Sequence, residues 1–306
     1  MKQSIQSKKE AWLHAVRLRT LPLALASIFA GSFLAAYHEV FRWEILVLAS
    51  FTTIFLQILS NLSNDYGDTV HGADHQDRKG PVRAVQSGLI SLEEMKRAMY
   101  WFAGLALVSG LLLIYLAVQS WLVIALFIVL GLLAIWASVS YTSGSNPYGY
   151  LGLGDISVFL FFGLLGVFGT YFLHSLSWDN AVVCIGVALG LFSAAVLNIN
   201  NIRDIESDQI AGKKSIPVRI GKNLAVKYNW FLILGGNISL LIFVLLSKEW
   251  GALLAYLILP FQLKIGLGVQ QGKESSEIDP YLKKMAISTL FWVILFGIGL
   301  LFLGKS

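Results

Sequence analysis

Two polar segments of this chain each carry an asparagine and an aspartate spaced four residues apart. Asn64 and Asp68 have this spacing in the first segment, and Asn200, Asp204 and Asp208 repeat it twice in the second. A helix that reached these positions would place such residues on one face. Oxygen ligands without cysteine suit a hard cation such as Mg²⁺, which typically takes one or two carboxylates and leaves its other positions to water and phosphate oxygens. The two clusters therefore predict a magnesium site.

Further charged residues accompany both clusters. Asp65 and Asp74 add two carboxylates to the first segment. Each cluster is followed by basic side chains, and arginine can bind phosphate oxygens bidentately while lysine supplies a point charge. The candidate diphosphate-binding residues are Arg78, Lys79, Arg83, Lys213, Lys214 and Arg219. A solvated loop with salt bridges would explain one such segment, but two segments with matching spacing favour a shared site for a metal diphosphate.

The two segments match when one is moved 136 residues along the other. The aligned positions are Asn64 with Asn200, Asp68 with Asp204, and Pro81-Val82-Arg83 with Pro217-Val218-Arg219. Each segment follows an apolar stretch, and these stretches are four spans apart, so both have the same orientation. This pattern is typical of a parallel internal repeat. We expect acidic loops at 61–97 and 198–227 to meet on one side of a membrane.

The composition indicates what positions these loops. Hydrophobic residues make up 56% of the chain and charged residues only 13%, whereas soluble domains usually carry roughly 25% charge. A membrane crossing needs about 20 apolar residues. The candidate spans are 20–37, 45–63, 98–118, 120–141, 155–174, 181–200, 228–247, 249–268 and 284–303. The sequence therefore predicts an all-α, polytopic membrane protein with one integral domain over residues 1–306.

The distribution of positive charge predicts the orientation of the spans. With the N-terminus in the cytoplasm, 20 of the 23 lysines and arginines fall inside and only Arg42, Lys248 and Lys305 fall outside, as the positive-inside rule requires. The C-terminus is then outside. The net charge of +5 is explained by this asymmetry and gives no reason to expect nucleic-acid binding. The lone Cys184 excludes a disulfide framework.

The acidic motifs resemble those of the UbiA superfamily of intramembrane aromatic prenyltransferases. That family carries N-D-x-x-D-x-x-x-D after its second helix and D-x-x-x-D after its sixth. The corresponding residues here are Asn64-Asp65-x-x-Asp68 and Asp204-x-x-x-Asp208. The chain departs from the family pattern at the third acid of the first motif, where Gly72 stands and Asp74 follows two residues later.

Within the family, four runs resemble the enzymes that prenylate 1,4-dihydroxy-2-naphthoate in menaquinone biosynthesis. These runs extend from Asn64 to Asp68, from Gly80 to Gly88, from Tyr141 to Asp155 and from Asn200 to Asp204. Many relatives carry a basic residue four positions after the tyrosine that corresponds to Tyr141, whereas this chain has Ser145 at that position. This difference argues against 4-hydroxybenzoate as the acceptor.

The resemblance implies nine helices around a central cavity that opens sideways to lipid, with the acidic loops capping it on the cytoplasmic side. It implies Mg²⁺ as cofactor, a polyprenyl diphosphate and an aromatic acceptor as substrates, and a bacterial cytoplasmic membrane as location. The implied metal ligands are Asn64, Asp68, Asp74, Asp204 and Asp208, and Asp65 joins Asn64 and the other acids as a candidate catalytic residue. Residues expected near the acceptor are Arg19, Tyr141, Asn200 and Asn201.

Three alternatives remain at this point. The acceptor could be 4-hydroxybenzoate, homogentisate or haem within the same family. A secondary transporter would use the acids to bind a cation, but it predicts charges near the bilayer midplane and broken helices. A non-catalytic scaffold would leave the duplicated acidic and basic segments unexplained.

Overall fold

The computed structural model of this chain describes residues 7–72 and 83–304. Three predicted site residues, Asp74, Arg78 and Lys79, lie outside the described residues. No β-strand occurs within the described ranges, and the chain there is helices joined by short turns. The all-α prediction is confirmed.

The described residues contain nine helices that are long and apolar enough to cross a membrane. They are α1 (Lys8–Tyr37), α2 (Trp43–Val70), α3 (Leu92–Ala117), α4 (Trp121–Ser140), α5 (Gly154–Ser175), α6 (Asn180–Arg203), α7 (Ile216–Ser247), α8 (Trp250–Gln271) and α9 (Ser275–Leu303). A short helix, Ile205–Ile210, lies between α6 and α7. Each predicted span falls on one of these helices, so the nine-span prediction is confirmed.

The acidic segments differ from the sequence prediction because much of each is helical rather than loop. Helix α2 continues to Val70, and α7 begins at Ile216 with a turn that a kink at Gly221, with φ 78° and ψ 161°, separates from the apolar part of the helix. Continuing a helix satisfies backbone hydrogen bonds that a loop would leave to water. The predicted ladder of Asn200, Asp204 and Asp208 is interrupted, however. Helix α6 ends at Arg203, and Asp204 adopts φ −100° and ψ 11° at the junction with the next short helix.

Helix α1 is broken near the same end of the bundle. A short helix, Lys8–Val16, ends at Arg17, whose φ of 51° and ψ of 60° are left-handed. A single tight turn, Leu18–Thr20, then leads into the apolar helix Leu21–Tyr37. Left-handed backbone is uncommon for a residue with a side chain. The break redirects the chain so that Arg17 and Arg19 both line the central cavity.

Helix α6 forms the centre of the bundle and α4 its periphery. The apolar window of α6 is 72% buried, whereas that of α4 is 11% buried. Because lipid is as apolar as leucine, helices in a membrane associate through close packing and interhelical hydrogen bonds. Helices α5 and α6 approach closely at Gly163, where an added Cβ would lie 2.5 Å from the carbonyl oxygen of Gly186. On the other side of α6, Phe192 packs edge-on against Trp292 of α9.

Candidate active site

A cavity of about 810 Å³ lies among α1 to α6 and carries charged side chains at one end only. The rest of its lining comes mainly from apolar residues of the first five helices, with a few hydroxyl side chains such as Ser27, Thr52 and Thr170. The polar end is built by the C-terminal ends of α2 and α6, by the connection after α4, and by the start of α9. Residues of both acidic segments line this end together: Asn64, Asp68, Asn200, Asn201, Asp204 and Asp208.

Asp68 is the carboxylate at the centre of this polar end. It is 1% exposed and receives Arg83 Nη2 at 2.5 Å and Lys213 Nζ at 2.8 Å. The phenol of Tyr150 donates a third contact at 3.0 Å. Arg83 follows α2 and Lys213 follows the short helix after α6, so one acid of the first segment binds cations from both. A buried charge is tolerated only when it is paired in this way.

Lys213 also links the two acidic segments. Its Nζ lies 2.8 Å from Asp68 and 3.8 Å from Asp208. Burial is the main cause that raises the pKa of Asp208 to about 6; the negative charges of Asp204 and Asp68 act in the same direction, and the positive charge of Lys213 opposes them. Burial and neighbouring like charges both disfavour the ionised carboxylate. Asp208 is therefore the carboxylate at this end that gains most from a further cation.

Arg203 fixes the orientation of Asp204. Its Nε and Nη2 donate to Asp204 at 2.8 and 2.6 Å. The same guanidinium donates to Asn200 at 2.8 Å and to Asp279 of α9 at 2.5 Å. Arg203 is buried, and so is Asp204. This network ties α9 to the acidic end of α6.

The donor set fits Mg²⁺ by its chemistry. Across the described ranges, no three His, Cys, Asp or Glu side chains lie close enough to hold a metal ion, and Lys213 lies between Asp68 and Asp208 instead. Amide and carboxylate oxygens are the ligands that Mg²⁺ prefers, and a bound cation would stabilise the ionised form of Asp208, whose pKa is raised mainly by burial. If Lys213 moved to a phosphate oxygen, Asn64, Asp68, Asp204 and Asp208 could hold the ion.

The structure places Asp65 in a different environment. Its Oδ2 accepts from the backbone N–H of Ala84 at 3.0 Å. Its Oδ1 receives Arg17 at 3.3 Å and Arg83 at 3.5 Å. These contacts anchor the chain that follows α2 and hold Arg83 over the cavity. Asp65 is thus positioned to orient the segment that carries Arg83. Its predicted catalytic role stays a prediction.

The basic residues of the two segments do not occupy equivalent places. Arg83 and Lys213 line the cavity, whereas Lys214 and Arg219 are exposed and lie outside its lining. Arg219 donates to the carbonyl oxygens of Lys214 at 2.8 Å and Leu151 at 2.5 Å. It therefore joins the connection before α7 to the one after α4. Arg83 and Arg219 therefore align in sequence, but only the side chain of Arg83 lines the cavity.

The residues predicted near the acceptor line the cavity, as Arg19, Tyr141, Asn200 and Asn201 all do. Arg19 has one ion-pair contact, at 3.9 Å to Asp279. Tyr141 follows α4, and burial together with the charge of Asp155 raises the pKa of its phenol. A neutral phenol and a loosely paired guanidinium could both contact an aromatic acid.

Sequence reasoning missed four residues of this site. Arg203 lies in the run 200–204, and Tyr150 and Thr142 lie in the run 141–155, so the neighbourhood of all three was known from the family resemblance but their contacts were not. Thr142 donates to Asn64 Oδ1 at 3.0 Å. Asp279 gave no signal, because it reaches the site from a helix 75 residues after Asp204.

The chain is similar to known proteins along nearly its whole length. The sequence model described as the UbiA prenyltransferase family matches residues 24–295. A 1,4-dihydroxy-2-naphthoate octaprenyltransferase from Haemophilus influenzae is 42% identical over 98% of this chain and 98% of its own length. The protein of the same name from Escherichia coli is 41% identical over 96% of each chain.

Solved structures show the same fold at low sequence identity. A UbiA homolog from Archaeoglobus fulgidus bound to DMAPP and Mg²⁺ superposes with a TM-score of 0.65 at 18% identity, covering 92% of this chain and 98% of that one. The apo structure of a UbiA homolog from Aeropyrum pernix gives a TM-score of 0.66 at 18% identity, with 92% and 97% covered.

Proposed function

This chain belongs to the UbiA prenyltransferase family, and we propose that it transfers a polyprenyl group from a polyprenyl diphosphate to 1,4-dihydroxy-2-naphthoate with loss of carbon dioxide. The product would be demethylmenaquinol, which oxidises to demethylmenaquinone. The observation that carries this proposal is the meeting of Asp68, Asp204 and Asp208 with Arg83 and Lys213 at the polar end of a long apolar cavity. The names of the similar proteins support the choice of acceptor.

The cavity separates the two parts of a prenyl diphosphate. Its apolar walls suit the prenyl chain, and its polar end suits the diphosphate. Mg²⁺, held by Asn64, Asp68, Asp204 and Asp208, would neutralise charge on the diphosphate when bound. Asp74 could add a ligand from the segment outside the described residues. The exposed Lys214 and Arg219, and Arg78 and Lys79 in that segment, would attract the anion from solution.

Arg83 and Lys213 would stabilise the leaving group. In the structure both cations bind Asp68, and we propose that they exchange this partner for diphosphate oxygens. The allylic C–O bond then breaks, its electron pair leaves with the diphosphate, and both cations face the charge that develops there. Fixed charges aimed at developing charge are usually the largest catalytic contribution. The ring carbon that bears the carboxylate attacks the allylic carbon, and loss of that carboxylate as carbon dioxide returns its bonding electron pair to the ring and restores aromaticity.

The positions of the charged residues argue against a secondary transporter. Every described charged side chain that lines the cavity belongs to its polar end, at the start of α1 and α9 or at the end of α2 and α6 and their following segments. A transporter of this size would carry its ion site near the bilayer midplane. The apolar part of the cavity suits a hydrocarbon instead.

The acceptor can be tested with purified protein, one prenyl diphosphate and Mg²⁺. We expect dihydroxynaphthoate to be prenylated and its product to lack the carboxylate, as read by mass spectrometry. Formation of prenylated 4-hydroxybenzoate or homogentisate alone would reassign the acceptor within the family, and no product with any acceptor would contradict the proposed function.

The same assay tests Arg19 as the residue that binds the acceptor carboxylate. Arg19→Gln should lower kcat/KM for dihydroxynaphthoate by roughly 10- to 100-fold, as expected for a lost hydrogen bond between charged groups. It should leave the rate with 1,4-naphthalenediol, which has no carboxylate, unchanged. Arg97→Gln, an exposed arginine on α3, is the matched control. Equal losses with both acceptors would assign Arg19 to another role.

We also propose that the N-terminus and the acidic ends of α2 and α6 face the cytoplasm. In a Cys184→Ser background, Gln209→Cys places a thiol on the exposed face of the short helix after α6, and Ser177→Cys places one between α5 and α6. An impermeant maleimide added outside sealed right-side-out vesicles should label position 177 and not position 209. The reverse pattern would invert the topology.

A further inference from the structure

Two arginines at the polar end of the cavity, Arg19 and Arg203, share the carboxylate of Asp279. Asp279 Oδ1 receives Arg203 Nη1 at 2.5 Å, whereas Asp279 Oδ2 lies 3.9 Å from Arg19 Nη1. All three side chains line the cavity. A separation of 3.9 Å is too long for a hydrogen bond. Asp279 therefore binds Arg203 directly but acts on Arg19 only through its charge.

The two guanidinium groups differ in their access to a ligand. The side chain of Arg203 is 3% exposed, and its donors are engaged by Asn200, Asp204 and Asp279. The side chain of Arg19 is 33% exposed. Within residues 7–72 and 83–304, its guanidinium donates no hydrogen bond. Because a guanidinium can bind a carboxylate through two parallel hydrogen bonds, Arg19 is the arginine of this pair that can take up a ligand carboxylate.

The first turn of α9 holds Asp279 in place beside Arg19. Ser275 Oγ donates to the carbonyl oxygen of Arg203 at 2.8 Å, which fastens the start of α9 to the end of α6. Ile278, the residue before Asp279, is 1% exposed. The negative charge of Asp279 therefore stays next to Arg19 when a ligand arrives.

The same polar end has to sort two different anions. The proposed function assigns the diphosphate to Arg83 and Lys213, which share Asp68. Arg19 and Arg203 would attract it as well, because a diphosphate carries more negative charge than a carboxylate. The repulsion between two charges grows with their product, so Asp279 repels a diphosphate more strongly than it repels a carboxylate.

We propose that Asp279 is a specificity-determining residue that restricts Arg19 to the carboxylate of the acceptor and excludes diphosphate from it. This inference rests on the proposed function, in which Arg19 binds that carboxylate. A carboxylate with good geometry gains two hydrogen bonds from Arg19 and overcomes the repulsion of Asp279. Once the carboxylate has left as carbon dioxide, the product has no group for Arg19. The charge of Asp279 then neutralises Arg19 again, and the product is held less tightly than the substrate.

The inference predicts that removing the charge of Asp279 tightens the binding of a carboxylate. The probe is 1-hydroxy-2-naphthoate, titrated by its fluorescence into the purified full chain without prenyl diphosphate. Asp279→Asn keeps an oxygen for Arg203 and should lower the Kd of this probe by roughly two- to fivefold, the size of a partly exposed ion pair. The Kd of 1-naphthol, which has no carboxylate, should stay the same. A merely structural role predicts weaker binding, so an unchanged or raised Kd of the naphthoate would overturn the proposal.

Two further variants show whether Asp279 acts through Arg19. In an Arg19→Gln background, Asp279→Asn should leave the Kd of the naphthoate unchanged, because the double-mutant cycle removes the interaction in question. Glu277→Gln is the matched control. Glu277 is an exposed acid on the same turn of α9 and lies outside the cavity lining, and glutamine can replace glutamate in its capping box. Tighter binding in Glu277→Gln, or equal tightening by Asp279→Asn with and without Arg19, would contradict the proposal.

The exclusion of diphosphate is tested by competition in the same titration. Inorganic diphosphate with Mg²⁺ should displace the naphthoate from Asp279→Asn at a concentration more than fivefold lower than from the native protein. An equal concentration for both proteins would overturn the exclusion. Neither titration needs turnover, so both results stand even if the acceptor assay yields no product. Conversely, failed titrations beside a successful acceptor assay would remove the role of Asp279 and leave the proposed function intact.

Discussion

Replacing either Asp68 or Asp204 with asparagine is expected to lower the rate of prenyl transfer by roughly 10²–10³, which corresponds to about 2.7–4 kcal/mol of lost electrostatic stabilisation. Each substitution keeps the size of the side chain and removes its charge. Both carboxylates line the same polar end of the cavity, one from α2 and one from the end of α6, so the two losses should be similar. Initial rates against Mg²⁺ and prenyl diphosphate concentration measure them.

The double variant distinguishes one shared site from two independent ones. Because residues that act as a unit are not additive, its loss should be smaller than the product of the single losses. Arg83→Ala should also slow the reaction, whereas Lys96→Ala, on an exposed position of α3, should behave as the native protein. If Asp204→Asn keeps near-normal turnover while Asp68→Asn abolishes it, the shared site is wrong and the second segment is only a structural copy of the first.

Removing Arg203 is expected to destabilise the folded protein by about 3–5 kcal/mol, the usual cost of breaking a buried ion pair by deleting one partner. Arg203→Ala leaves Asp204 without its two closest hydrogen bonds and Asp279 without its contact at 2.5 Å. The free energy of unfolding in detergent micelles is the measurement. Arg97→Ala is the control, since that arginine is exposed and pairs with the exposed Glu93 one turn away.

Arg203→Lys separates charge from geometry in the same network. A lysine keeps the positive charge but cannot reproduce the planar fork of donors that binds Asp204 and Asp279 together. It should recover part of the lost stability and little of the lost activity. An Arg203→Ala protein as stable as the native one would show that the network positions Asp204 without supporting the fold.

The number and location of the helices could be predicted because they depend on length and apolarity, which each segment carries by itself. Where the helices end could not. Asn61–Val70 is polar, yet it continues α2, since its backbone is satisfied more fully within the helix than outside it. The interruption of the helix at Asp204 could not be predicted either, because Asp204 is bound by Arg203, which is held in turn by the distant Asp279 of α9.

The acidic part of the site was predicted from spacing, while its basic part was predicted only by composition. Arg83 and Arg219 align in the repeat, but Arg83 points inward to Asp68 and to the carbonyl oxygen of Asn64, and two backbone carbonyls of neighbouring connections hold Arg219 at the surface. The partners that decide between these outcomes lie far away in sequence. A side chain's direction therefore needs tertiary structure even where its position in a motif is clear.

The contrast between the buried α6 and the peripheral α4 has a consequence for how the protein can evolve. Nearly every position of α6 is in contact with other helices, so a change of volume there disturbs several neighbours at once. Most of α4 faces lipid, where one apolar side chain can replace another with little effect on packing. Mutations along α4 can therefore change the range of substrates with less effect on the stability of the fold than mutations along α6.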